Sequence, residues 1–266
     1  MIRCTFQLAP GLGAYRERQL WAAGVRSWDE VVRRGEVLLA PGLDARLRAA
    51  VAEAGDALAA GDAARLAAML PRRERWRLYP SFEEDAAFVD VEADADELTV
   101  VGLLDRDGPR ALVRGRDLAE FPERARRWKL LVTYNGSAFD VPALERAFPG
   151  WRAPAAHVDL RRLWMRLGHE GGLKLLEAKV GIARPPHVAA LRGGDAGRLW
   201  REHEAGDGGA LRRLVEYNLY DAVDLKALMV LAYNRMVERL ELPAPPLARW
   251  ERGDVLYDMT KQLLGL

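Results

Sequence analysis

The sequence predicts a mixed α/β fold preceded by a small all-helical region. Three observations predict it. Apolar positions recur at three- and four-residue spacing through roughly the first 75 residues, three strand-like runs separated by turn residues follow, and helix-like and strand-like segments then alternate. At 266 residues, with 50% hydrophobic and 30% charged side chains, the chain can bury a sizeable core and has the composition of a globular protein. The formal net charge of +1 excludes a strongly cationic nucleic-acid binder of the histone kind. Residues 1–77 nevertheless carry 13 basic against 9 acidic side chains, a net +4, and the remainder is net −3. The single cysteine, Cys4, excludes an internal disulfide and a cysteine-rich zinc site. No apolar run approaches the length of a membrane span and the first residues lack the apolar stretch of a signal peptide, so a cytoplasmic protein without membrane contact is expected.

Element by element, "RERQLWAAG", "SWDEVVRRG", "GLDARLRAAVAEAGDALAAG" and "DAARLAAML" read as short helices joined by tight turns. "PRRERWRLYPSF", flanked by Pro71 and Pro80, reads as a connector. A boundary follows, giving a helical domain over 1–78 and an α/β domain over 79–266. "AFVDVEA", "ELTVVGLLD" and "PRALVRG" form an antiparallel meander with turns at "DADE" and "RDG". "LAEFPERARRW" is a helix, "KLLVTYN" a strand and "DVPALERAF" a helix, and from Leu160 onward the pattern is helical.

The acids carry the chemistry. Side chains alternate across a strand, so Phe88, Asp90 and Glu92 share one face while Val89 and Val91 share the other. Two carboxylates about 6.6 Å apart along a half-buried strand repel unless a cation compensates. "TYNGSAFDVPAL" places Asp140 at a strand-to-helix loop, and "EYNLYDAVDL" places Tyr217 and Asp221 four residues apart on one helix face. Asp90, Glu92, Asp140 and Asp221 thus offer hard oxygen ligands from distant segments, a set suited to Mg²⁺ or Mn²⁺. Two such ions about 3.5 to 4 Å apart can activate water and stabilise a leaving oxygen in phosphodiester hydrolysis.

With "FVDVEA", "YNGSAFDVPAL" and "YNLYD" in that order, the sequence resembles the DEDD exonucleases of the tyrosine-bearing kind, and most closely their YprB-like branch. "ERWRLYPSF", "HVDL" and "GGLKLLEAKVGIARP" are also similar to that branch. The resemblance implies an RNase H-like mixed five-stranded sheet flanked by helices, behind a helix-hairpin-helix-like DNA-binding domain. It implies a 3′-to-5′ exonuclease that uses two divalent cations and releases nucleoside 5′-monophosphates, with single-stranded DNA as the first expected substrate and RNA as the other. Carried over, Asp90, Glu92, Asp140 and Asp221 bind the ions and Tyr217 orients the attacking water. A phenol with an ordinary pKa of about 10 is a poor base at neutral pH. The histidine-bearing kind would have His five residues before the last Asp, where this chain has Glu216. Many relatives follow the Glu of the first motif directly with Thr; here Ala93 and Asp94 follow.

Other assignments are less specific. Gly11 and Gly13 in "LAPGLGAYRERQL" suit a hairpin whose backbone N–H groups approach a DNA phosphate, and equally an ordinary turn between helices. Asn135 fits a nucleic-acid contact or a turn residue. Asp159 reads as a helix N-cap and Lys174 as a solvated lysine. Two further functions stay open: a non-catalytic nucleic-acid-binding module, which loss of a motif acid would favour, and a structure-specific endonuclease.

Overall fold

A computed structural model describes residues 1–265. The front of the chain forms α1 (Ala14–Ala22), α2 (Trp28–Arg33), α3 (Pro41–Ala59) and α4 (Ala63–Met69). Their starts follow capping chemistry. Ser27 and Glu30 close a reciprocal capping box on α2, Pro41 occupies the first turn of α3, and the Asp62 carboxylate accepts from the Arg65 N–H at α4. The stretch expected as a connector is instead a 3₁₀ helix, Arg72–Ser81, with Trp76, Arg77 and Tyr79 buried. It is a packed joint, because its aromatic and charged side chains find partners on both sides.

The sheet comprises β1 (Ala86–Asp94), β2 (Glu97–Asp105) and β3 (Gly108–Val113), then, after α5 (Phe121–Ala125), β4 (Leu130–Thr133) and, after α6 (Asp140–Ala147), β5 (Ala156–Asp159). Strand order is β3-β2-β1-β4-β5, with β1, β2 and β3 antiparallel and β4 and β5 parallel to β1. This is the mixed five-stranded sheet flanked by helices that the sequence implied. β5 escaped the sequence pattern because its four residues, behind Pro154, are too few for a period-two signal.

Helices α7 (Leu160–Arg166), α8 (Leu173–Val180), α9 (Pro186–Ala189), α10 (Asp195–Glu204), α11 (Gly208–Arg239) and α12 (Leu256–Leu264) complete the chain. Two cores cover the sheet. On one face Phe88, Val100 and Val132 pack with α11 and with front-helix residues such as Leu47 and Trp28. On the other, Val89, Val91 and Leu131 meet Phe121, Leu144 and Trp151. Strand alternation therefore sends Asp90 and Glu92 to the side of α11. Among the described residues no helix is long and apolar enough to cross a membrane.

Candidate metal centre

β1 and α11 meet at a glycine. Asp90 pairs with Gly102 across the β1/β2 ladder. A Cβ on Gly102 would lie 2.3 Å from Asn218 Oδ1 and 2.9 Å from the Asn218 backbone oxygen. Only a bare backbone lets α11 come this close. Asn218 then donates to the Asp90 carboxylate at 2.9 Å and to its backbone oxygen at 3.1 Å, which fixes the first acid. Gly102→Ala is expected to destabilise the protein by about 1–3 kcal/mol, the range for overpacking against atoms that cannot rotate away. Because it displaces the helix bearing Asp221, it should also weaken divalent-ion binding; denaturation midpoints with and without Mn²⁺ measure both effects.

On that helix Tyr217, Asp221 and Asp224 recur at spacings of four and three and are all buried. Ligand oxygens of Asp90, Glu92 and Asp221 lie within 4.8 Å of one another. Past Glu92 the β1/β2 register shifts, the kind of bulge that re-aims side chains. Asp140 joins the site differently. Pairing of β1 with β4 ends at Phe88, and further along β1 the Asp140 carboxylate accepts from the Val91 N–H at 3.1 Å. It stands at the first turn of α6, outside the compact triad but close enough to act on its charges. Tyr217 is buried and its phenol lies beside the Asp221 carboxylate, one helical turn along α11. Burial and the neighbouring carboxylates push that phenol well above its ordinary value, so it holds its proton and acts as a donor.

The other sequence candidates lie elsewhere. Asn135 adopts a left-handed backbone (φ 63°); its N–H donates to Asp159 at 2.9 Å and its side-chain oxygen accepts from Arg161. Asp159 caps α7, as expected, by accepting from the Arg161 N–H. Gly11 is exposed with φ 85°, its carbonyl held by Arg16, and Gly13 precedes α1. Asp94 pairs with Arg201 of α10, and Glu216 lies 2.9 Å from His187 Nε2. Lys174 differs from expectation. It is half-buried, its ammonium 4.2 Å from the centre of the Tyr217 ring and bonded to the Leu191 carbonyl, because α8 packs beside α11.

Sequence reasoning missed Asn218 and a buried cation, Arg184. That guanidinium pairs with Asp221, makes a bidentate bond to Glu177 at 2.5 and 2.7 Å, and lies 3.7 Å from Asp224. Arg252 in turn holds both oxygens of Asp224 at 2.6 and 2.7 Å. A lone arginine in a loop carries no periodic signal, so only the fold reveals it. Among the described residues the six acids Asp90, Glu92, Asp140, Asp221, Glu177 and Asp224 are thus gathered with three cations, Arg184, Arg252 and Lys174. The excess of negative charge is written in the titration. Burial, then the neighbouring acids, pushes Glu92 up to about 8 and Asp90 well above its usual range, and burial pushes Asp140 up to about 7.

Hard carboxylate oxygens, clustered and short of counter-charge, fit divalent cations. Without them the folded protein holds protons here that the unfolded chain releases near ordinary carboxylate values. The stability these protons contribute is full below the ordinary carboxylate range, falls as pH rises above that range, and is spent by about 7 to 8, where the native groups ionise too. Denaturation in a chelator should show that decline, and Mn²⁺ should offset it increasingly toward the alkaline end, since ligands must be deprotonated to bind.

A family model described as the RNase H superfamily matches residues 87–233, more than half of the chain and a span containing Asp90, Glu92, Asp140, Tyr217 and Asp221. No curated protein and no solved structure matches the chain.

Proposed function

The chain belongs to the RNase H superfamily, and from that premise we propose that it is a nuclease of the tyrosine-bearing DEDD kind: a 3′-to-5′ exonuclease on single-stranded nucleic acid, DNA before RNA, that releases nucleoside 5′-monophosphates. The observation that carries the reading is the convergence of Asp90, Glu92 and Asp221 within 4.8 Å, with Asp140 anchored on the backbone between the first two. Two divalent cations, Mg²⁺ or Mn²⁺, would supply water activation and stabilisation of the leaving oxygen. The chain's own part is to hold and orient. The four acids would bind the ions, Asn218 fixes Asp90, and Arg184 holds Asp221 from behind. Tyr217, a donor rather than a base, would orient the attacking water. Tyr217→Phe should therefore lower kcat by about 10–100-fold, in the range of lost orienting partners at metal sites, with little change in the metal-induced rise in Tm. The exposed turn at Gly11 and Gly13 fits a separate backbone contact to the substrate from the helical domain over 1–78.

The test uses 3′-ended oligonucleotides, linear and circular, with Mn²⁺ or Mg²⁺. Stepwise shortening of the linear strand alone supports an exonuclease; cleavage of the circle points to an endonuclease, and no cleavage removes the enzymatic reading. Arg184 favours one alternative, a metal-free binding module, since a buried guanidinium already sits on Asp221. It leaves Asp90 and Glu92 without an ion pair among the described residues, and a metal-free module should gain no Tm from Mn²⁺.

A further inference from the structure

A large cavity lies away from the acid triad, along the outer edge of β5. It encloses about 500 Å³ between the 3₁₀ helix 72–81, α7 and the segment that leads into α6. Five arginines line it: Arg72, Arg73 and Arg75 from the joint, Arg162 and Arg166 from α7. The single lining carboxylate, Asp159, is already accepting from the N–H groups of Asn135, Ser137 and Arg161. His157 adds no charge, because burial pushes its imidazole down to about 4.

The five guanidiniums are not equally engaged. Arg166 is tied to Glu74 and to the Arg73 carbonyl, and Arg75 bonds the Ala67 carbonyl. Arg73 reaches Glu74 only at 3.7 Å, and Arg162 reaches Asp159 only at 3.8 Å with its side chain 71% exposed. Arg72, also exposed, makes no ion pair among the described residues. The buried Trp76 indole N–H, also on the lining, has no hydrogen-bond partner. Like charges gathered around a hollow repel one another, and an anion among them would relieve that repulsion. Planar guanidiniums match phosphate oxygens in particular. The hollow is larger than one phosphate needs, and it adjoins the candidate metal centre along the chain, since Ser137 and Val141 on its wall stand on either side of Asp140 in the sequence.

We propose that this cleft binds the phosphodiester backbone of a nucleic-acid strand leading to the acid cluster, with Arg72 and Arg162 as the donors that meet phosphate. The strand's destination rests on the nuclease reading; binding of the backbone does not. Phosphate contacts of this type position a strand without reading its sequence, so affinity should be sequence-tolerant and strongly salt-dependent.

The experiment measures binding of a fluorescently labelled single-stranded oligonucleotide to the full chain by anisotropy, in chelator so that nothing is hydrolysed, over a series of salt concentrations. Arg72→Ala with Arg162→Ala should weaken binding about tenfold and reduce the slope of log affinity against log salt by about 1.4, two phosphate contacts' worth. Arg162→Lys should recover part of that loss, and Arg126→Ala, an exposed arginine off the cleft, should lose none. Unchanged Tm in each variant separates a binding loss from misfolding, and a variant that does melt is replaced by the Lys forms at both positions, which should keep the salt slope. Wild-type affinity and slope in the double variant overturn the proposal. So does failure of the wild-type protein to bind the strand, or displacement of the strand by an acidic peptide more effectively than by a second oligonucleotide. Absence of cleavage with Mn²⁺ would sink the nuclease reading while leaving this measurement standing.

Discussion

Asp90→Asn is expected to raise the stability of the metal-free protein while abolishing its response to divalent ions. The two effects share one cause. Asp90 is half-buried on β1, and burial together with Asp221, Asp140 and Glu92 drives its carboxyl well above the usual range. An isosteric amide still offers an oxygen to Asn218, so the anchoring bond survives while one mutually repelling charge disappears. In chelator the variant should therefore denature at higher temperature, most visibly at alkaline pH where the wild-type cluster is ionised. With Mn²⁺ at 100 times its Kd, the wild-type protein should gain about 2.7 kcal/mol and the variant little of it. Hydrolysis should fall by at least about 10²–10³, the loss seen when one preorganised electrostatic group is removed. Calorimetry with and without metal, alongside an oligonucleotide assay, checks all three. An acidic patch of no function would give the first effect without the other two.

That double signature depends on a site whose parts differ in how visible they were in the sequence. Asp90 and Glu92 were legible because strand alternation places i and i+2 on one face, and Tyr217 and Asp221 because i and i+4 share a helix face. Order along the chain then brought Asp140 in, although it enters through the Val91 N–H rather than the triad itself. Asn218 and Arg184 were illegible for a physical reason. Their roles come from tertiary approach, Asn218 over a glycine on another strand and Arg184 from the segment between α8 and α9, and neither leaves a periodic trace. The sheet divides similarly. The meander announced itself through alternation and turn residues, whereas β5 is four residues long and is specified by pairing with β4. The supposed connector shows the same limit. Its proline flanks are real, but the burial of Trp76 and Arg77 is decided by what packs on them.

Arg77 yields the second large effect. It is 1% exposed and bonds Glu17 of α1 at 2.9 Å and Glu74 of its own 3₁₀ turn at 2.8 Å. Glu17 in turn accepts from the Phe6 N–H at 2.7 Å and from the Gln7 amide at 2.7 Å, and Glu74 also holds Arg166 of α7 at 3.0 Å. A single guanidinium thus lies between carboxylates that fasten the N-terminal segment, α1 and α7. Such a network resists removal of one member more than of all, since the partners left behind are charged, buried and unpaired. Arg77→Met keeps much of the volume and should cost about 3–5 kcal/mol, whereas Arg77→Met combined with Glu17→Gln should recover part of that loss by removing the orphaned charge. Urea denaturation of the two variants measures the difference. If the double variant is no more stable than the single one, the network is held by packing and not by its charges. Because Arg73 and Arg75 precede this residue in the same 3₁₀ segment and line the β5 cleft, loosening the joint should also blunt the salt dependence of strand binding. Stability of the helical front and the shape of the basic cleft would then prove to be properties of one buried arginine.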